Sequence, residues 1–231
     1  MNNKMVGKSM VFYFKYGRQL DQYWKLDDSD QKKAIKIGAP DLTDEQVDEK
    51  MEMIADVITK ANTQAKEFFN ELAQEADNIL KHFCNTDIDP MKTVKSDWES
   101  HVYLFPKSYK KKKSDLLSVN FWIEDTGPEV DKSGYSQLEI CITAEAEDED
   151  NDRLYKTIKK IYKGKLETLC NWTEWGDFES VSSLLRVPIY SDETKDFQVE
   201  KEQLYNAILA PLKMLKQKDV DEILAVMYKT V

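Results

Sequence analysis

Apolar residues recur at Val47, Met51, Ile54, Ile58, Ala61, Ala65, Phe68 and Leu72, in alternating steps of four and three. That is a 3.5-residue period, and a helix alone presents it to one side. The stripe continues through Ala76, Ile79 and Phe83. Two successive steps of four around Leu72 form a stutter, which relaxes a left-handed supercoil. A start signal precedes it. Thr43 can accept an N–H of the first turn while Gln46 reaches back, the capping-box arrangement. Asp44 and Glu45 then lie where the helix dipole favours negative charge. The reading is one amphipathic helix over Glu45–Phe83.

Its length constrains the rest. About 39 residues at ~1.5 Å each make a helix of roughly 58 Å. A compact globule of this chain length has a diameter near ~45 Å. The helix must therefore break, fold against the preceding Gln19–Lys36 segment as a hairpin, or project and pair with another chain as a homodimer. Val, Met, Ile, Ala and Phe are mixed along the stripe, which favours the hairpin slightly over a dimeric coiled coil.

Residues 1–96 read as a helical N-terminal region and 97–231 as an α+β domain. Met10–Tyr16 (MVFYFKY) reads as a short strand or docked aromatic segment, and Gln19–Lys36 as a helix punctuated by Gly38, Ala39 and Pro40. Residues 85–97 read as a linker. Strand patterns follow at His101–Phe105, Leu117–Glu124, Gln137–Ala144, Leu169–Trp175 and Ser183–Tyr190. Asp152–Tyr162 has helical spacing at Leu154, Ile158 and Ile161. Two helices close the chain, about Glu200–Lys216 with Pro211 expected to kink or split it, and Asp219–Tyr228 with Asp219 and Glu222 as its capping pair. Sequential strands without regular helix alternation give an α+β class: a long helix or helical hairpin, then an antiparallel sheet of about five strands with helices on one face.

The net charge is −10, from 43 acids against 33 bases. Phosphate backbones repel such a surface unless the bases are segregated, so general nucleic-acid binding is disfavoured. Five Trp, eleven Tyr and nine Phe exclude a disordered composition. Seven glycines argue against phosphate-cradling loops. The three cysteines, Cys84, Cys141 and Cys170, are odd in number and lack CxxC spacing. Reduced core cysteines in a cytoplasm are the simplest account. The apolar run Met10–Phe14 is too short for a signal-peptide core or a membrane span.

The chemical motifs are incomplete. Gly7-Lys8-Ser9 has the ending of a phosphate-binding loop, but Asn2 stands where its first Gly belongs. Asp148, Asp150 and Asp152 begin like a calcium loop, yet Arg153 takes the Gly place and Lys159 the place of the bidentate Glu. A metal-dependent nuclease core needs Glu-x-Lys on a strand, and Glu139 is followed by Cys141. A cryptic hydrolase centred on Glu124, Glu139 and Glu145 is the third-ranked reading. His82 and His101 are the only histidines, so a His-rich metal site is excluded, and no signature joins Cys84 to His101. No cofactor, metal site or catalytic residue is expected.

From His101 onward the element order resembles a small uncharacterised domain found C-terminal in restriction-type endonucleases. The resemblance rests on the strands HVYLF, LSVNFWIE and QLEICITAE, the helix NDRLYKTIKKIY, the segment NWTEW and the strand SLLRVPIY. It implies an accessory role in a phage-defence or mobile-element setting and carries no catalytic motif.

The leading expectation is a cytoplasmic, non-enzymatic protein-binding module: an adaptor, an inhibitor or an immunity-type partner. Trp172 and Trp175 would anchor the partner, with Glu147, Asp148, Glu149 and Asp150 steering a basic face towards them. The alternative is an accessory nucleic-acid-recognition domain using Lys110, Lys111, Lys112 and Lys113, with Tyr109 as a stacking face.

Overall fold

A computed structural model describes residues 7–89, 99–109, 117–124, 137–144, 148–163, 181–188 and 201–228. It is mixed α+β, with a long helix followed by an antiparallel sheet. Helix α3 (Asp44–Leu80) runs unbroken for 37 residues, about 55 Å. Its start is the expected capping box. The Gln46 N–H donates to Thr43 Oγ1 at 3.3 Å, and the Thr43 N–H donates to Gln46 Oε1 at 2.9 Å. The helix stops three residues before Phe83, with the Lys81 N–H still donating to the Asp77 carbonyl.

Two sets of neighbours cover α3 in succession. Its first half is clasped by α1 (Lys8–Trp24) and α2 (Asp28–Gly38), which run antiparallel to it. Met10 near the start of α1 meets Gln64, while Lys32 and Lys36 of α2 meet Asp48 and Asp44. This is the hairpin solution to the length problem. The second half enters the main core. There the buried stripe widens to Phe68, Phe69, Leu72, Ala73, Ala76 and Leu80, because the sheet and the helix over Lys201–Lys213 both pack on it.

The N-terminal segments correct the sequence reading. Met10–Tyr16 is helical, although its aromatic content favours a strand. Met10 is buried, and Leu20 and Trp24 pack on the same core at helical spacing. Tertiary contact with α3 therefore overrides local propensity. Gln19–Lys36 is two helices, because Asp27 caps α2 by accepting the Asp30 N–H at 2.9 Å.

Strands β1 (Asn85–Asp89), β2 (Glu99–Phe105), β3 (Leu117–Glu124), β4 (Gln137–Ala144) and β5 (Val181–Pro188) lie in chain order, each antiparallel to the next. The expected set of five strands is corrected. β1 occupies the expected linker, and Leu169–Trp175 lies outside the described residues. NTDID carries one apolar residue, Ile88. It becomes a strand through the β2 ladder and through Thr86, whose hydroxyl donates to Asp77 on α3. Pro188 ends β5 at a sheet edge, where a missing N–H is tolerated.

Val102, Leu104, Leu117 and Val119 are buried and register-paired, Val102 with Val119 and Leu104 with Leu117. They share one cluster with α3, α4 (Asp148–Tyr162), α5 (Lys201–Lys213) and α6 (Gln217–Tyr228). The boundary expected at residues 96/97 runs through this cluster, with α3 on one side and β2 onward on the other. α4 begins four residues before Asp152. α5 passes through Pro211 without splitting and ends two residues later. The Pro211 carbonyl, near that helix end, accepts the Tyr162 hydroxyl at 2.7 Å. α6 starts at Gln217, not Asp219. Asp219 sits in its first turn and accepts the Lys216 N–H at 3.0 Å, while Glu222 pairs with Lys160 at 2.7 Å.

Tyr228 latches the mouth of the β2–β3 hairpin. Its hydroxyl donates to the Leu104 carbonyl at 2.6 Å and accepts the Leu117 N–H at 3.2 Å. Those two residues form the last register pair before the connecting loop. Removing the hydroxyl by Tyr228→Phe leaves both backbone groups short of a partner, which costs about 1–3 kcal/mol. Urea unfolding of that variant should show this loss with an unchanged denaturant slope.

A second prediction concerns alkali. Tyr205 on α5 donates to Glu71 Oε2 at 2.9 Å. Burial, and then Glu71 and Glu75, hold its phenol well above the usual value, and burial with Asp219 does the same for Tyr162. The folded state therefore keeps protons that the unfolded chain releases above pH ~10. Stability from these two groups is complete below that pH and declines above it, by at most about 1.4 kcal/mol per pH unit for each phenol. Tyr205→Phe should flatten the decline between pH ~10 and ~11 in urea titrations.

Candidate functional site

The expected site residues fall in three places. Trp172, Trp175 and Glu147 lie outside the described residues, as do Lys110, Lys111, Lys112 and Lys113. Asp148, Glu149 and Asp150 stand on the first turn of α4, not in a loop. The helix dipole welcomes acids there, so this run also serves helix initiation. Tyr109 is described, and its ring is engaged. It lies 4.5 Å from the Tyr228 ring and 6.4 Å from Phe105, with its hydroxyl buried.

Of the remaining chemical candidates, Gly7 lies at the start of α1, Glu124 and Glu139 lie in the sheet, and Glu145 lies outside the described residues. α1 begins immediately after Gly7, but the N–H of Met10 is taken by Gln64 Oε1 at 2.9 Å. A side chain at Gly7 would collide with the same Gln64 amide. One N–H of that helix end is thus capped from α3. In the sheet, Glu139 sits opposite Trp122 and Arg186, and Glu124 opposite Gln137, so the register does not place these two acids across from one another. Among the described residues no group of three His, Cys, Asp or Glu is gathered for a metal.

The feature with the geometry of a binding site was not singled out in the sequence. It is a surface cleft of about 510 Å³ between the end of α2 and the start of α3. Lys32, Lys33, Lys36 and Ile37 form the α2 wall, with Asp44 and Val47 from α3. Val47 is almost fully buried, whereas Ile37 is 84% exposed. The helical hairpin places them so. Val47 heads the apolar stripe of α3, and Ile37 falls on the last turn of α2, beyond the stretch that α3 can cover.

Charge organises the rim. Lys32 Nζ lies 2.7 Å from Asp48 and Lys36 Nζ 2.5 Å from Asp44, so residues four apart on one helix meet residues four apart on the other. Lys33 turns back to Asp30 on its own helix at 2.7 Å. The hydrogen bond and charge of Asp48 raise the Lys32 ammonium, and those of Lys36 hold Asp44 below the usual carboxylate range. All three pairs are at the surface, so each orients the helices more than it stabilises them. The cleft has an apolar floor, an exposed apolar knob and a rim of alternating sign. The signal in the sequence was Ile37 after Lys32, Lys33 and Lys36, an apolar residue displaced from the α2 stripe that includes Ile35.

Cys84 is the one thiol whose surroundings are described. It is buried, it donates to the Leu80 carbonyl, and burial pushes it up to about 12. A thiolate is the reactive form, so peptide mapping after alkylation at pH ~8 should find Cys84 unmodified in the folded chain and modified in urea. No family model, no curated protein and no solved structure matches this chain.

Proposed function

We propose that this chain is a non-enzymatic protein-binding module, an adaptor, inhibitor or immunity-type partner, that docks through its N-terminal helical arm. One observation carries the reading. Among the described residues the exposed large apolar side chains are Phe12, Leu26, Ile37 and Met53, and all four belong to α1, α2, their connection or the first half of α3. The main packing of α1 and α2 is with α3 and with each other, so the arm is only two helices thick. Two layers of helix cannot bury every apolar position, and apolar surface left beside a charged rim is the ordinary mark of a docking face. The cleft at Ile37 and Val47 is the best-shaped part of it.

The resemblance from His101 onward adds a setting to this reading, a phage-defence or mobile-element system, in which the α+β body would be the accessory part. The acids on the first turn of α4 would assist by steering a basic partner.

A photo-crosslinking residue at position 37, used in the cell that makes the chain, tests the reading against the same residue at Lys163, just past the end of α4. Crosslinks to protein at 37 and none at 163 are expected, together with at least about a tenfold loss of affinity on Ile37→Glu. Equal labelling at the two positions would remove the arm from consideration. Salt-released nucleic acid, lost when Lys110–Lys113 become Glu, would transfer the function to the basic loop.

A further inference from the structure

We infer that α1 and α2 form a cover that lifts from the first half of α3 as one unit, while α3 stays helical beneath it. Such an opening needs no partner, so it stands apart from the docking role of the arm.

α3 does not need the cover to remain a helix. Its N-terminus carries its own stop, the Thr43–Gln46 capping box, with Asp44 and Glu45 favouring the dipole there. Its second half is fixed in the main core. A helix extends cheaply from turns already formed, because nucleation is the costly step. Lys60 and Asp56 also pair along its own surface at 2.5 Å.

The joint between α1 and α2 is bonded within itself. The buried Gln31 side chain donates to the Leu26 carbonyl at 3.0 Å. The Leu26 N–H donates to the Tyr23 carbonyl at 3.1 Å, and Asp27 caps α2. These bonds travel with the cover. The described polar links from the cover to α3 are weaker or fewer per turn. Lys32–Asp48 and Lys36–Asp44 are exposed pairs that salt screens. At the start of α1, the Met10 N–H is held by the Gln64 side chain at 2.9 Å. Among the described side chains of α1 and α2, Met10 and Gln31 are the buried ones. The cleft of about 510 Å³ enters between α2 and α3, so packing there is incomplete. The connection runs through Gly38, which stands in open space, and residues 39–42, closed by a turn bond from the Leu42 N–H to the Ala39 carbonyl.

Motion about that connection parts the exposed pairs and the Met10–Gln64 bond, and leaves the bonds inside the cover and inside α3 unbroken. Regions with few buried apolar contacts open at lower free energy than a core. The opening bares Val47, Met51, Ile54, Ile58, Ala61 and Ala65, whose 3.5-residue spacing is the one helices use to pair. The closed cover withholds that seam.

Pulsed thiol alkylation of the full chain, read by peptide mapping, tests the opening. Val47→Cys probes the α2 end of the cover. A separate Ile58→Cys probes the stretch of α3 between its Gln64 and Asp48 contacts. Cys is smaller than either residue, so neither variant is overpacked, and Cys84 in the main core reports any wider unfolding. Both new thiols should be labelled at least about tenfold faster than Cys84. Gln64→Ala removes a bond to α1, yet it should speed labelling at 47 as well as 58, by roughly three- to tenfold. Raising salt from about 0.05 to about 0.5 M weakens pairs on α2, yet it should speed 58 as well as 47. Hydrogen exchange of the unmodified chain supplies a reading that needs no variant: amides of α1 and α2 exchange together, before those of residues 47–65. Thiols at 47 and 58 no faster than Cys84, an effect of Gln64→Ala or of salt confined to its own end, or amides of residues 47–65 exchanging with those of α1 and α2 would each overturn the cover. None of these readouts involves a partner, so they are decided independently of crosslinking at position 37.

Discussion

The burial of α3 is the interaction on which the rest of the fold depends. A 37-residue helix is longer than any single core of this chain can cover, so one continuous apolar stripe must be shared between two sets of partners. The small residues decide how closely they approach. Ala61 and Ala65, both fully buried, form the part of the stripe nearest Gln64, where α1 begins. Phe68, Phe69 and Leu72 then fill the larger space between sheet and α5. Polar links fix the helix in rotation as well as in position. Gln64 caps α1, Tyr205 reaches Glu71 and the Phe68 carbonyl, Lys201 pairs with Glu71, and Thr86 pairs with Asp77. Together they tie α1, α5 and β1 to successive parts of the same helix, at Gln64, at Phe68 and Glu71, and at Asp77.

This division of labour also gives the chain two kinds of surface. Around the sheet and the C-terminal helices, the described large apolar side chains are gathered into the core. Along the arm, no described element stacks a further layer on α1 and α2, and Phe12, Leu26, Ile37 and Met53 stay in contact with water. Changes at Phe68 or Val47, both buried, act on the fold, whereas a change at exposed Ile37 leaves the packing untouched.

Much of this was legible in the sequence where a signal is local. The capping box at Thr43 and Gln46, the period of α3 and the patterns LSVNFWIE and QLEICITA each specify their own element, and the structure places α3, β3 and β4 there. What was not legible depended on partners. MVFYFKY has strand-like composition, and only contact with α3 makes it a helix. NTDID has almost no apolar pattern, and only the β2 ladder and Asp77 make it a strand. The break between α1 and α2 was readable in Asp27, Asp28, Ser29 and Asp30, but the apolar points on both sides concealed it. The site was harder still. Aromatic and charged clusters drew attention to Tyr109 and to the acids of α4, whose roles in packing and helix initiation are local. Ile37 gave a weak signal, since exposure of a single apolar residue depends on which turns a neighbouring helix happens to cover.

The Tyr228 latch has a consequence for synthesis. Its hydroxyl joins a carbonyl 124 residues earlier in the chain. At roughly 5–20 residues per second, translation takes about 6–25 seconds to cover that distance. Once β3 has been made, and until α6 follows, the β2–β3 hairpin stays unlatched, with Leu104 and Leu117 still waiting for α6 to cover them. The nascent chain thus carries an open apolar hairpin mouth for seconds before α6 closes it.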